Sequence, residues 1–168
     1  MVTITTGPKR SVLRGQRHKM YRIVKNNINE GWFWNMIRNP MRGNNYAVRN
    51  NSGKLVGFAV MGKNVPHEGG AAYIYLIGTN SGQGYGTQLM NKIISNVKAR
   101  GLKYILLEPI TERVRTFYRR FGFMNITPDL MVLNVNTRKS PSPPSRARPS
   151  SSRSSSARRS VKRQTPHP

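Results

Sequence analysis

Between Ala71 and Leu107 the chain carries one pattern that leaves few ways to fold. Ala71 to Gly78 is an apolar, β-rich run, long enough for a strand and far short of the roughly 20 residues a membrane helix needs. A glycine cluster, Ser81 to Gly86, follows it. Leu89, Met90, Ile93, Ile94 and Val97 then fall on one face of a helix. Arg100 and Gly101 end that helix, with a cation in the last turn and glycine at the C-cap. Tyr104 to Leu107 is a second buried strand, closed by Glu108-Pro109. Strand, glycine loop, helix and strand in this order are most simply a right-handed parallel crossover unit.

The stretch before Ala71 is less regular. Met1 to Thr6 reads as a short strand, and Gly7 to Lys19 as a basic loop broken by Gly and Pro. Met20, Ile23, Val24 and Ile28 lie at helical spacing; Trp32, Phe33, Met36 and Ile37 predict a second short helix ending before Pro40. Tyr46 to Arg49 and Lys54 to Met61 are strand-like. They flank Asn50-Asn51-Ser52-Gly53, a hairpin turn made of residues that tolerate positive φ. Lys63 to Gly70 is a loop. Beyond Leu107, Val114, Phe117, Tyr118 and Phe121 give an amphipathic helix stopped at Gly122, and Leu130 to Val135 a last strand. No internal repeat is visible.

Composition changes abruptly after Asn136. From Thr137 to Pro168 the only large aliphatic residue is Val161, too little apolar surface to offset the entropy of ordering, so residues 137–168 are expected to be a disordered Ser/Arg/Pro-rich tail. Residues 1–136 are then the single folded domain. Across all 168 residues, 29 Lys and Arg face five acids, a net charge of +24. The tail holds nine of the 29, leaving 20 against five, a net +15, on residues 1–136. Both parts should attract polyanions. The tail has no Phe, Tyr or Trp on which bases stack, so nucleic-acid binding through it would be blind to sequence. It also reads as a plain solubility segment, and Ser140-Pro141 and Ser142-Pro143 are places where phosphate would cancel its charge.

The chain has no cysteine and three scattered histidines, His18, His67 and His167, which excludes thiolate chemistry and leaves no histidine-built metal site. Met1 to Arg10 lacks the apolar core of a signal peptide, and the expectation is a soluble, intracellular protein in cytoplasm or nucleus.

Ser81-Gly82-Gln83-Gly84-Tyr85-Gly86-Thr87 sits between strand and helix. Glycines there let a ligand approach the backbone, and free amides with the helix dipole suit a pyrophosphate; the same cluster also serves as a tight turn with no ligand. A Walker loop needs Lys-Ser/Thr after its last glycine, and Gly86 is followed by Thr87-Gln88. The dinucleotide fingerprint started at Gly82 puts Thr87 where its third glycine belongs, although Glu108 mimics the ribose-binding acid of that fold. A dinucleotide-binding protein therefore stays as a lesser alternative.

Gly84-x-Gly86 after a strand, then helix, strand and a helix ending Tyr118-Arg119-Arg120-Phe121-Gly122-Phe123, resembles the GNAT superfamily of acyl-CoA-dependent N-acyltransferases. That family's signature is Gln/Arg-x-x-Gly-x-Gly/Ala on the pyrophosphate loop, with Tyr-x-x-x-Gly-Phe downstream. The resemblance covers Leu55 to Val135 and implies a three-layer α/β/α fold around a mixed, mostly antiparallel sheet. There are departures. Ser81 stands at the Gln/Arg position, Gly78-Thr79-Asn80 replaces a proline-containing turn, and Thr111 stands where an asparagine is common.

What the resemblance implies is transfer of an acetyl or other acyl group from acyl-CoA, as co-substrate, to an amine, without a metal. Ser81, Gly82, Gln83, Gly84, Tyr85, Gly86, Thr87 and Thr111 would contact the cofactor. Leu76 and Ile77 would lie along pantetheine, their amides polarising the thioester carbonyl. Tyr118 would protonate the leaving sulfur; it also lies on the apolar stripe with Val114 and Phe121 and so reads equally as core. The attacking amine must be neutral, which calls for a base. Tyr73 to Asn80 holds no carboxylate, so Glu108 is the candidate, against its reading as a solvated strand-end acid or a partner for an arginine; His67 and Glu68 lie on a loop that would border the substrate. The acceptor is a small amine, a peptide N-terminus or a lysine. The rival from another class is a basic protein that keeps the fold, binds nucleic acid or another polyanion, and has lost catalysis.

Overall fold

The computed structural model of the chain describes residues 2–8, 12–38, 44–62 and 70–136. Its elements are β1 (Thr3–Pro8), α1 (Arg17–Val24), α2 (Glu30–Arg38), β2 (Asn44–Arg49), β3 (Leu55–Met61), β4 (Ala71–Thr79), α3 (Tyr85–Ala99), β5 (Tyr104–Leu107), α4 (Glu112–Arg119), β6 (Met124–Asn125) and β7 (Met131–Asn134). The seven strands make one sheet in the order β1-β2-β3-β4-β5-β7-β6. Every neighbouring pair is antiparallel except β4 and β5, which run parallel and are joined by α3. The expected crossover unit is therefore the centre of a mixed, mostly antiparallel sheet.

Two cores separate the layers. On one face, Met20 and Val24 of α1 with Phe33 and Ile37 of α2 pack on Ala47, Phe58, Val60 and Leu76 of the sheet. On the other, Leu89, Met90, Ile93, Ile94 and Val97 of α3, with Tyr118 of α4, pack on sheet residues that include Ala72, Ile74, Ile105 and Leu107. The result is the three-layer α/β/α arrangement. Strand β3 is buried along its whole length, which is why it reads as a nearly unbroken apolar run, while β2 alternates its side chains between the two cores.

Several boundaries moved, each for a physical reason. Strand β1 reaches Pro8 because it lies at a sheet edge, where a missing N–H costs no ladder bond. Helix α1 stops at Val24, so Ile28 lies beyond its end despite the helical spacing. Asn29 then opens the next helix: its Oδ1 accepts from the Trp32 amide at 3.2 Å. In α2, Phe33 and Ile37 are buried but Trp32 is 44% exposed. The two-residue β6 is short enough that no alternation marks it in the sequence. Residues 63–69, with His67 and Glu68, and the whole 137–168 tail lie outside the described residues.

Candidate active site

The site is made by a difference in strand length. Strand β4 has nine residues and β5 only four, paired from Ala71↔Tyr104 to Ile74↔Leu107. Beyond Ile74 the edge of β4 that faced β5 has no partner strand among the described residues. The opening lies at the carboxyl ends of two parallel strands, the usual place for a ligand in a sheet of this kind. Its other side is fixed by β3. Pairing runs Val60↔Leu76 and then Met61↔Ile74, so Tyr75 is an extra residue, a bulge that bends β4 where β5 leaves it. Further along, the Asn80 amide donates to the Val56 carbonyl at 2.8 Å. Counting back through an antiparallel ladder, Leu76 and Gly78 turn their backbone groups to β3, whereas Ile77 and Thr79 turn theirs into the opening. Leu76 packs its side chain in the α1/α2 core.

The loop of residues 80–84 leads from β4 into α3. Gly82 and Gly84 have φ of +85° and +67°, and Gly84 is the helix N-cap, with no side chain on the helix end. A left-handed cap is costly for any residue with a Cβ, so the sequence needs glycine there. Gly84 accepts the Gln88 amide through its carbonyl at 3.1 Å, while the amides of Tyr85, Gly86 and Thr87 have no acceptor within the helix. Ser81, Gly82, Gln83 and Gly84 are exposed, Tyr85 and Gly86 half-buried, and Thr87 exposed. Open amides at the positive end of a 15-residue helix form an anion site that a pyrophosphate would fit.

Tyr118 is 4% exposed, its ring centroid 5.4 Å from that of Phe117 and 5.6 Å from that of Phe123. Its hydroxyl has no hydrogen-bond partner among the described residues. Burial raises its pKa well above the ordinary 10.0, so the phenol is protonated at neutral pH. Thr111 is the N-cap of α4: Oγ1 accepts the Val114 amide at 3.3 Å, which engages the hydroxyl in shaping the helix that carries Tyr118.

Glu108 follows β5 and is exposed. Its partner is not an arginine: the Tyr73 hydroxyl donates to Oε1 at 2.6 Å. Burial, the hydrogen bond and charge of Glu108, and the neighbouring Tyr75 all push Tyr73 up from 10.0, so it too stays a donor. Tyr73 went unnoticed in the sequence. The signal was the pair Tyr73-x-Tyr75 on the strand beside Glu108, visible only once β4 is laid against β5 in register. Among the described residues no three His, Asp or Glu side chains group to hold a metal ion, and no helix is long and apolar enough to cross a membrane.

Residues 15–123 match a family model described as the acetyltransferase (GNAT) family. No curated protein matches the chain. Solved structures do. A GNAT-family acetyltransferase from Staphylococcus aureus is 15% identical, with a TM-score of 0.63 over 80% of this chain and 99% of that one. The ribosomal-protein-S18-alanine N-acetyltransferase from Escherichia coli is 20% identical, with a TM-score of 0.61 over 80% and 94%. A GNAT-family acetyltransferase from Elizabethkingia anophelis with acetyl-CoA bound is 14% identical, with a TM-score of 0.59 over 79% and 97%. At such identities the likeness is one of fold.

Proposed function

The chain belongs to the acetyltransferase (GNAT) family, and from that premise we propose that it transfers an acetyl group from acetyl-CoA to an amine acceptor. The observation that carries this is the unpaired half of β4 opening onto a helix whose cap is a bare left-handed glycine. That shape suits a ligand with an extended arm and a pyrophosphate. Backbone amides from Ser81 to Thr87 hold the pyrophosphate. The Ile77 backbone faces the arm, and its amide polarises the thioester carbonyl; Leu76 supports it from the core behind. Thr111 acts at this site through α4, whose first turn it caps.

Proton transfers at the nitrogen and at the sulfur complete the reaction. Glu108 takes the first proton from the acceptor ammonium, and the neutral nitrogen attacks the carbonyl carbon. The new C–N bond forms, the C–S bond breaks, and the second proton shed by the nitrogen passes to solvent. Tyr118 gives its proton to the departing sulfur, and the phenolate regains one from solvent. Its buried phenol is neutral at the start, as a donor must be, and strongly favours regaining its proton. Ser81 in place of a longer polar side chain removes one clamp on the pyrophosphate, and the loop amides compensate only in part.

A second function is favoured by one observation, the burial of Tyr118 among aromatic neighbours with no polar partner. A side chain so placed also suits a protein that keeps the fold and binds a polyanion, through its +15 domain and basic tail, without catalysis. Calorimetric titration of the protein with acetyl-CoA and with NAD tests the ligand assignment. Tighter binding of acetyl-CoA is expected, because Thr87 replaces the third glycine a dinucleotide needs. Equal binding, or preference for NAD, overturns it.

A further inference from the structure

On the opposite side of the sheet from α3 and α4, three side chains converge that the mechanism above uses only in part. Ala72, Ile74, Ile105 and Leu107 point into the α3/α4 core, so Tyr73 and Glu108 lie on the other face. The bulge at Tyr75 brings its ring to the same side, with its centroid 4.7 Å from that of Tyr73 and the planes tilted by 50°. Room for that ring comes from Gly62, where a Cβ would fall inside it. Tyr75 remains 38% exposed. We propose that Tyr73, Tyr75 and Glu108 bind the acceptor as a primary alkylammonium that carries a single charge. This rests on the acyl-transfer function and names the class of substrate it takes.

Charge is the first argument. Glu112 is held by Arg115 at 3.1 Å and Arg119 at 2.7 Å, but Glu108 has a phenol beside it and no cation among the described residues. The Tyr73 bond fixes Oε1 and leaves Oε2 for an incoming N–H. Two tilted ring faces beside a carboxylate suit an ammonium, which is attracted to an aromatic face within about 6 Å of its centroid. The rings also offer apolar surface to the carbon next to the nitrogen. The second argument is the setting: residues 1–136 carry a net +15, a field that repels cations as a whole. A polycationic acceptor would meet that repulsion with its remaining charges, whereas a monocation delivers its one charge to Glu108. The bound ammonium passes one proton to Glu108 and becomes the neutral nucleophile; the later steps are those already given.

Titration of the full-length protein at pH 7, followed by the NMR signals of its tyrosine rings, tests this with n-butylammonium chloride and its neutral counterpart 1-pentanol. Butylammonium should bind at least about tenfold more tightly than pentanol. Glu108→Gln should weaken butylammonium by about tenfold, and Tyr75→Leu by about threefold or more, with pentanol little changed by Glu108→Gln. Equal binding of the two probes, or unaltered butylammonium binding by Glu108→Gln, overturns the cation site. Acetyl-CoA is titrated into the same samples. Loss of acetyl-CoA binding by the unmodified protein sinks the acyl-transfer function instead, so the two failures are distinguishable.

Discussion

Tyr118 is buried in the core, while the proposed reaction draws on its proton for the departing thiolate, and a single substitution separates the two. Tyr118→Phe keeps the ring and its neighbours. Turnover should fall by roughly 10² to 10⁴, the scale of a lost general acid, with acetyl-CoA affinity little changed; steady-state rates and calorimetry on the one variant check both. The same variant carries a stability signature. The folded-state pKa lies above the unfolded value of 10.0, so below pH 10 both states keep the proton, and above it the unfolded chain alone releases it. Stability is therefore lost as pH rises past 10, by up to roughly 1.4 kcal/mol per pH unit for one such phenol. Urea denaturation at pH 9 and at pH 11 should show a smaller alkaline loss in Tyr118→Phe than in the unmodified protein; equal losses would contradict the burial. Tyr118 could be found in the sequence because Gly122 and Phe123 follow it in a fixed register. Tyr73 could not, since its link to Glu108 spans two strands and exists only in their pairing.

At the scale of elements, the loop and the two helix starts on either side of the opening have separable costs. Gly84→Ala places a Cβ in open space, with nothing within 4 Å, so the cost is conformational at φ +67° rather than steric. A loss of roughly 1–2 kcal/mol is expected, together with weaker acetyl-CoA binding as the cap shifts; thermal denaturation and calorimetry measure the two. Thr111→Ala removes the oxygen that accepts the Val114 amide and should cost about 1 kcal/mol, with a turnover loss smaller than that of Tyr118→Phe because only the helix carrying the phenol is loosened. Strand, glycine loop, α3 and β5 were legible because each carries local chemistry: a β-rich run, glycines, a 3.6-residue stripe, a glycine stop. What was not legible belongs to pairing between distant segments. The bulge at Tyr75 and the short β6 are decided by neighbouring strands, and no residue of their own announces them.

For the whole molecule, charge and chemistry are partly independent. Deleting residues 137–168 should leave acetyl-CoA affinity intact, since Val161 is that segment's one large aliphatic residue. It should weaken nucleic-acid binding regardless of base sequence. With about five tail cations on phosphates, the slope of log affinity against log salt should lose roughly 3.5 to 4.5 units on truncation. Anisotropy across a salt series reads this, and an unchanged slope would assign any polyanion surface to residues 1–136, which keep a net +15. The +24 total and the change of composition after Asn136 were plain in the sequence, whereas the acceptor was not, because the side chains proposed to bind it come from separate strands. The most direct test of the central claim is release of CoA thiol from acetyl-CoA by the full-length protein, with and without a panel of primary amines. Thiol release should depend on the amine, yield the N-acetyl product in equal amount, and collapse in Tyr118→Phe. Saturable acetyl-CoA binding with no amine-dependent thiol release across the panel would contradict it and leave a protein that keeps the fold and the ligand without the reaction.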